Sequence, residues 1–397
     1  MTKLEQLIKQ LCPDGVEYKK VKEVYKRLKG TPITAGKMKE ISNPDGEIKI
    51  FAGGQTVINA YLDDIPNANI TREPAVLVQS RGVIDVIYYD KPFTFKNEMW
   101  AYTYDNPTSV KYLYYVLKNN IISFRERAKG MGALPQISLP VTEDFKIPVP
   151  PLEVQAEIVR ILDTFTELTT ELTTELTNRK KQYEYYRDNL LELNNEVEHI
   201  ELREIAEFKT GSKPDIVFET KEQGDFEYIN AGTTNSGYVT EYNCEGDTVT
   251  TPSRGQGGIG FVGYQSKAFW LGPLCYKIRS KDSEKINNKY LYYCLSKQRN
   301  DIISRKKEGG VPALNASDLA TITIPVPSLQ IQNRIVNVLD NFESICSDLN
   351  IGLPAEIEAR QKQYEYYRDL LLTFAETGGK LPEKRREEKR RERREES

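Results

Sequence analysis

The sequence repeats itself, and this limits the folds open to it more than any other feature. IPVPPLEVQAEIVRILDTF at 147–165 returns as IPVPSLQIQNRIVNVLDNF at 324–342, an offset of 177 residues. KQYEYYRD at 181–188 returns letter for letter at 362–369, an offset of 181. Weaker echoes fill the interval: Ser80-Arg81-Gly82 and Ser253-Arg254-Gly255, YLYY at 112–115 and 290–293, Gly132-x-x-Pro135 and Gly309-x-x-Pro312. A period of about 180 residues is that of a domain, too long for a solenoid unit, so the 397 residues form two tandem domains with connecting elements. The ends of the repeats match closely while the bodies, roughly 17–145 and 198–322, have diverged. Each body therefore has its own task.

Periodicity places the parts. After the first IPVP segment, Ile158, Leu162, Phe165, Leu168, Leu172, Leu176, Tyr183, Tyr186 and Leu190 step by threes and fours, which predicts an amphipathic helix over 152–193, about 60 Å long. Three tandem TELT units (166–177) form its middle. The second repeat has the same stripe in Ile335, Leu339, Phe342, Leu349, Ile357, Tyr364, Tyr367 and Leu371, but Gly352 and Pro354 predict a break in it. Two equivalent helices supply each other with a partner. The bodies read as short strands such as AVLVQS, GVIDVIYYD and GFVGYQSKAFWLG between turn residues, each closing with a helix around YLYY, so an α+β globule is expected. The expected order is a first domain over 1–150, a connecting helix over 151–196, a second domain over 197–327 and closing helices over 328–377. The low-complexity charged tail over 378–397 is expected to be frayed helix or disorder.

Composition removes several function classes. No run approaches the roughly 18 apolar residues of a membrane span, and the N-terminus lacks a signal-peptide core, which points to a cytoplasmic protein with no membrane partner. The five cysteines form no CxxC pair and suit buried thiols, and a single histidine, His199, read as a surface strand residue, removes most metal and acid–base schemes. The net charge of −3 neither supports nor excludes nucleic acid, because acid is concentrated in the connecting helices, with 9 Asp/Glu against 5 Lys/Arg over 152–193. GQGGIG at 255–260 fits the dinucleotide fingerprint in letters but is followed by strand character, so a tight loop between strands is expected. PDIVFETK at 214–221 and PDGEIK at 44–49 lack the spacing of a nuclease site, and neither a phosphate-binding P-loop nor an amino-methyltransferase motif is present. No catalytic residue and no metal ligand is assigned.

What remains suits contact with DNA. Gln79-Ser80-Arg81-Gly82 and Ser253-Arg254-Gly255-Gln256 place an arginine, a small hydroxyl and a glycine in equivalent turns. Arginine can grip a guanine edge through two hydrogen bonds, while the hydroxyl and the glycine backbone suit phosphate. An arginine in a surface ion pair beside a turn glycine reads equally well. Arg125, Arg127 and Lys129, with Arg305, Lys306 and Lys307, suit phosphate anchors or merely solvated helix ends.

The opening LEQLIKQLCPDGVEY, each IPVP-x-L leading into a long helix, the TELT units, and RKKQYEYYRD with RQKQYEYYRD together resemble the specificity subunits of type I restriction-modification systems, over residues 1 to about 375. The resemblance implies an α+β fold of two tandem target-recognition domains separated by long antiparallel coiled-coil helices, a pseudo-two-fold duplication. It implies a non-catalytic subunit that recognises a bipartite asymmetric site in double-stranded DNA. The implied partners are two methyltransferase subunits and, through them, restriction subunits. No cofactor is implied in this chain; S-adenosylmethionine, Mg and ATP would sit on the other subunits. A coiled-coil scaffold that binds only proteins is the alternative, and salt-sensitive, sequence-selective DNA binding decides between the two.

Overall fold

The computed structural model describes residues 2–128, 134–193, 197–255, 257–307, 311–347 and 351–374. Lys129, Gly132, Gln256, Gly309, Leu349 and the charged tail lie outside the described residues. The chain forms two units, Met1–Glu171 with Glu358–Ser397, and Leu172–Ile357, so the division falls inside the TELT units.

In the first unit a two-stranded ribbon ties the body's beginning to its end: β1 (Tyr18–Lys20) pairs antiparallel with β9 (Lys146–Pro148). Between them the chain builds two small sheets. One has the order β2-β8-β5-β6 from Lys26–Leu28, Trp100–Thr103, Ala75–Gln79 and Asp85–Tyr89; the other has the order β4-β3-β7 from Val57–Ala60, Ile48–Phe51 and Phe93–Phe95. All of β5 is buried, as its unbroken apolar run AVLV demands of a central strand. The second unit repeats this strand for strand. β10 (His199–Glu201) pairs with β18 (Thr323–Pro325), and the sheets run β11-β17-β14-β15 and β13-β12-β16, from Ala206–Thr210, Cys275–Ser280, Thr248–Pro252, Gly263–Gln265, Tyr238–Val239, Phe226–Ile229 and Trp270–Leu271. β3 with β7 and β12 with β16 are the matching parallel pairs.

Helix α1 (Lys3–Leu11) opens the chain with a capping box between Thr2 and Glu5. The YLYY tetrapeptides lie in α2 (Pro107–Asn119) and α5 (Asn288–Lys297), with α3 (Ile121–Glu126) following α2 and α6 (Arg299–Ser304) following α5. Asn106 and Asn287 cap the two tyrosine helices identically, each side-chain oxygen accepting from two backbone N–H groups of the first turn. Tyr112 and Tyr290 hold those helices to their ribbons by donating to the carbonyls of Pro148 and Pro325. The connecting helix α4 (Leu152–Leu190) is unbroken over 39 residues, and its threonines 166, 169, 170 and 177 donate their hydroxyls to carbonyls one turn back. In the second repeat the stripe is split into α7 (Leu329–Ser347) and α8 (Leu353–Thr373), where Gly352 precedes α8 rather than closing α7.

The octapeptides are exchanged between the repeats, each lying in the unit built on the other repeat's body. In the first unit Phe165 stacks on Tyr367 at 5.3 Å and 24°; in the second, Phe342 stacks on Tyr186 at 5.4 Å and 27°. KQYEYYRD of each repeat therefore packs against the start of the other repeat's helix. Each body is fixed to that helix by a buried tyrosine. Tyr115 donates to Asp163 at 2.5 Å, with Lys111 also on Asp163 at 2.7 Å. The Tyr293 hydroxyl lies 2.5 Å from Asp340 and 2.9 Å from Glu343, its single proton shared between the two carboxylates. Burial pushes both phenols far above their ordinary range, so they remain donors.

All five cysteines are buried and free. His199 is exposed on β10. Among the described residues no helix is long and apolar enough to cross a membrane.

Candidate nucleic-acid interface

β5 ends at Gln79, itself buried at the strand end, and the chain turns to return as β6. Ser80 is fully buried, and its hydroxyl donates to the Glu98 carbonyl. Its own carbonyl accepts from the Ile137 N–H at 2.9 Å, and the Gly82 N–H donates to the Pro135 carbonyl at 2.9 Å. Between these bonds Arg81 faces Gln136 as an antiparallel bridge pair. Gly82 sits at φ +76°, and a Cβ there would stand 3.3 Å from the Gly54 Cα, so the turn requires glycine. Burial pushes the neighbouring Glu98 carboxyl up, but hydrogen bonds from backbone N–H groups and from the Lys96 ammonium outweigh it and hold the group ionised below the usual range.

The second unit builds the same clamp. Leu314 donates its N–H to the Ser253 carbonyl at 2.9 Å, Gly255 (φ +114°) donates to the Pro312 carbonyl at 3.2 Å, and Arg254 faces Ala313 between them. Gly255 and the described residues 257–260 of GQGGIG accordingly lie in the connection between β14 and β15, and no helix starts among them. Both arginines are exposed, and among the described residues no carboxylate pairs with either guanidinium. Each clamp fixes the backbone of an arginine whose side chain is free to meet a ligand.

The other basic groups differ among themselves. Arg305 is spent inside the fold: its guanidinium holds Asp301 at 3.0 Å, the Asp318 carbonyl at 3.1 Å and the Thr321 hydroxyl at 2.5 Å. Arg125 donates through Nε to the Ile84 carbonyl at 2.9 Å. Arg127 is exposed at the end of α3, and Lys306 follows α6 half-buried. Lys307 is exposed, exchanges both backbone hydrogen bonds with Ala313, and lies 3.7 Å from Asp318.

Residue chemistry alone missed the cleft beside Arg81. It measures about 610 Å³ and is lined by Arg27, Lys29, Asn69, Asn97, Trp100 and Gln136. The signal available was the Gly-x-x-Pro echo: it recurs in both repeats, as the Ser-Arg-Gly turn does, and the two prove to be hydrogen-bonded partners. Glu98 also lines it, and Trp100, Arg27 and Asn69 already donate to Thr142, Glu143 and the Gly30 carbonyl, so of these lining groups Lys29, Asn97 and Gln136 are left to donate to phosphates or base edges.

One antiparallel and one mixed sheet per repeat, a body inserted at a ribbon, and an exposed arginine presented at the same point of both bodies are the features of a duplicated binding protein. The sequence matches the type I restriction modification DNA specificity domain over residues 13–181 and again over 194–359, and the chain belongs to that family. It is 33% identical over 357 residues to the type I restriction enzyme EcoR124I/EcoR124II specificity subunit of Escherichia coli, covering 82% of this chain and 87% of that one. It is 34% identical to a putative type I restriction enzyme specificity subunit of Haemophilus influenzae, covering 67% and 72%. The fold matches the crystal structure of the type I restriction-modification S subunit from M. genitalium with a TM-score of 0.63 at 22% identity, over 91% of this chain and 96% of that one. A chain from a structural study of complex assembly and conformational transition in a type I system matches with a TM-score of 0.52 at 16% identity, over 91% and 98%. The chain is thus a type I specificity subunit, whose task is recognition of DNA sequence.

Proposed function

We propose that each body reads one half of a bipartite, asymmetric site in double-stranded DNA, with Arg81 reading in the first half and Arg254 in the second. The observation that carries this reading is the repeated clamp: two bodies that have diverged in sequence keep the same backbone bonds around an exposed arginine. Gly82 and Gly255 let the turn approach the sugar–phosphate chain, Gln79, Ser80 and Ser253 support the turn from beneath, and Arg127, Lys306 and Lys307 anchor phosphates. Arg125 and Arg305 brace the fold behind them. The chain performs no chemistry itself. It scaffolds two methyltransferase subunits and, through them, restriction subunits, and S-adenosylmethionine, Mg and ATP are used there. The structural relative from a study of complex assembly supports a role within an assembly.

Selection from randomised duplexes with the full chain and its methyltransferase subunits tests the arginines. Arg81→Ala is expected to cost about 1–3 kcal/mol and to relax one position of one half-site, and Arg254→Ala one position of the other. A loss spread evenly over all sequences would reassign the arginines to phosphate. Unchanged selection would remove them from the interface.

A further inference from the structure

We infer that the residue facing each clamped arginine determines the base pair read beside it: Gln136 in the first reader and Ala313 in the second. The inference rests on the proposed DNA reading and deepens it. In each clamp the flanking hydrogen bonds run from the residue after the arginine and to the residue before it, while the arginine and its opposite residue exchange none. That is the non-hydrogen-bonded pair of an antiparallel ladder, in which the two Cα atoms come closest and the side chains leave the same face side by side. Whatever duplex groove receives Arg81 therefore also receives the Gln136 carboxamide, and Gln136 in turn lines the open cleft.

The two readers differ at this point. Gln136 offers one acceptor and two donors, the pattern that pairs with the N7 and N6 edge of adenine. Ala313 offers only a methyl group, which suits contact with the thymine methyl. On its far side Ala313 exchanges both hydrogen bonds with Lys307, so the second reader presents Arg254, Ala313 and Lys307 in a row across three short segments. The backbone is shared and the side chain opposite the arginine varies, as expected of a position that sets specificity.

The test is selection from randomised duplexes by the full chain with its methyltransferase subunits, comparing the wild type with Gln136→Ala, Gln136→Glu and Ala313→Gln, each checked for native melting. Gln136→Ala is expected to lower discrimination roughly 5- to 150-fold at one position, next to the one relaxed by Arg81→Ala, leaving the other half-site untouched. Gln136→Glu, which keeps the size and loses the donors, is expected to shift that position from adenine towards cytosine. Ala313→Gln is expected to bring in a new preference next to the Arg254 position. Variants that melt natively and select the wild-type site would overturn the inference, and so would a loss spread evenly over all sequences. A wild-type complex that selects no split site at all would instead overturn the DNA reading beneath it.

Discussion

The two bodies, proposed as separate readers, share a frame and differ in what the frame carries. Strand order, ribbon pairing, the asparagine caps, the tyrosine latches and the arginine clamps coincide, although the bodies align only at scattered residues. The surfaces do not coincide. The first reader has a cleft with Arg27, Lys29, Asn69 and Asn97 beside its clamp. The second has a smaller cleft of about 300 Å³ on a different part of its sheet, where Asn230, Thr233, Asn235 and Gln265 are joined by the Glu227 carboxylate and, among the described residues, no cation lines the space. The lesson is a division of labour: backbone hydrogen bonds fix where side chains are presented, and the side chains there are free to change. The ribbons make this possible, because each body enters and leaves the frame through two adjacent strands.

The connecting helices differ too, and shortening one is expected to have the largest effect. α4 is continuous where α7 and α8 are separate, and the second repeat spends four more residues between its phenylalanine and its octapeptide. Deleting Thr170–Thr173 removes about 6 Å of helix and about 40° of rotation beyond a full turn. The nonspecific spacer is expected to shorten by about one base pair, the rise per strand being 3.4 Å, with both half-sites unchanged. Mapping the modified bases in cells carrying the deletion checks this, and an unchanged spacer with full activity would remove the TELT units as a ruler.

The tyrosine latches separate the readers less. Tyr293 serves two carboxylates, whose only cation among the described residues, Lys289, stands 3.4 and 3.6 Å away, whereas Tyr115 serves one carboxylate already paired at 2.7 Å. Tyr293→Phe is expected to cost about 2–3 kcal/mol and Tyr115→Phe about 1 kcal/mol in denaturant melts. Equal losses would break the distinction.

The smallest effect concerns acid. Hydrogen bonds from Arg160 and Lys3 outweigh burial and hold the Glu157 carboxyl at about 2, while Arg334 stands at the equivalent place in the second repeat. A carboxyl depressed by folding stabilises above its ordinary value near 4.5, and that stability is lost as pH falls towards 2. Because both cations are largely exposed, the contribution is about 1 kcal/mol. Protection factors of the α1 amides, with the intrinsic pH dependence of exchange divided out, are expected to fall as pH drops from 4.5 to 2, and Glu157→Gln to abolish that dependence.

Much of this was legible in the sequence because its signals are local or repeated. Periodicity marked α4, Gly352 and Pro354 marked the gap before α8, turn residues bounded the strands, and duplication marked Arg81 and Arg254 as equivalent. The pairings between distant segments were not legible. Beyond the shared recurrence of the Ser-Arg-Gly and Gly-x-x-Pro segments, nothing indicates that Pro135 and Gln136 will close over Arg81, nothing near Tyr115 names Asp163, and identical octapeptides give no sign that each packs on the other repeat's helix. Register between distant segments is set by whole-fold packing, and a single sequence records only the residues on either side of it. Arg305 shows the converse. Its basic neighbourhood suited phosphate, but a carboxylate four residues back and the end of the short helix Ala316–Ala320 take up its donors.

Exchanging residues 17–145, which include β1 and end just before β9, for the body of another family member tests the division of frame from reader most directly. Modified-base mapping is expected to show one half-site replaced, the other half-site identical, and the spacer unchanged. A change in both half-sites would contradict the account, because two readers on a shared frame specify their halves independently.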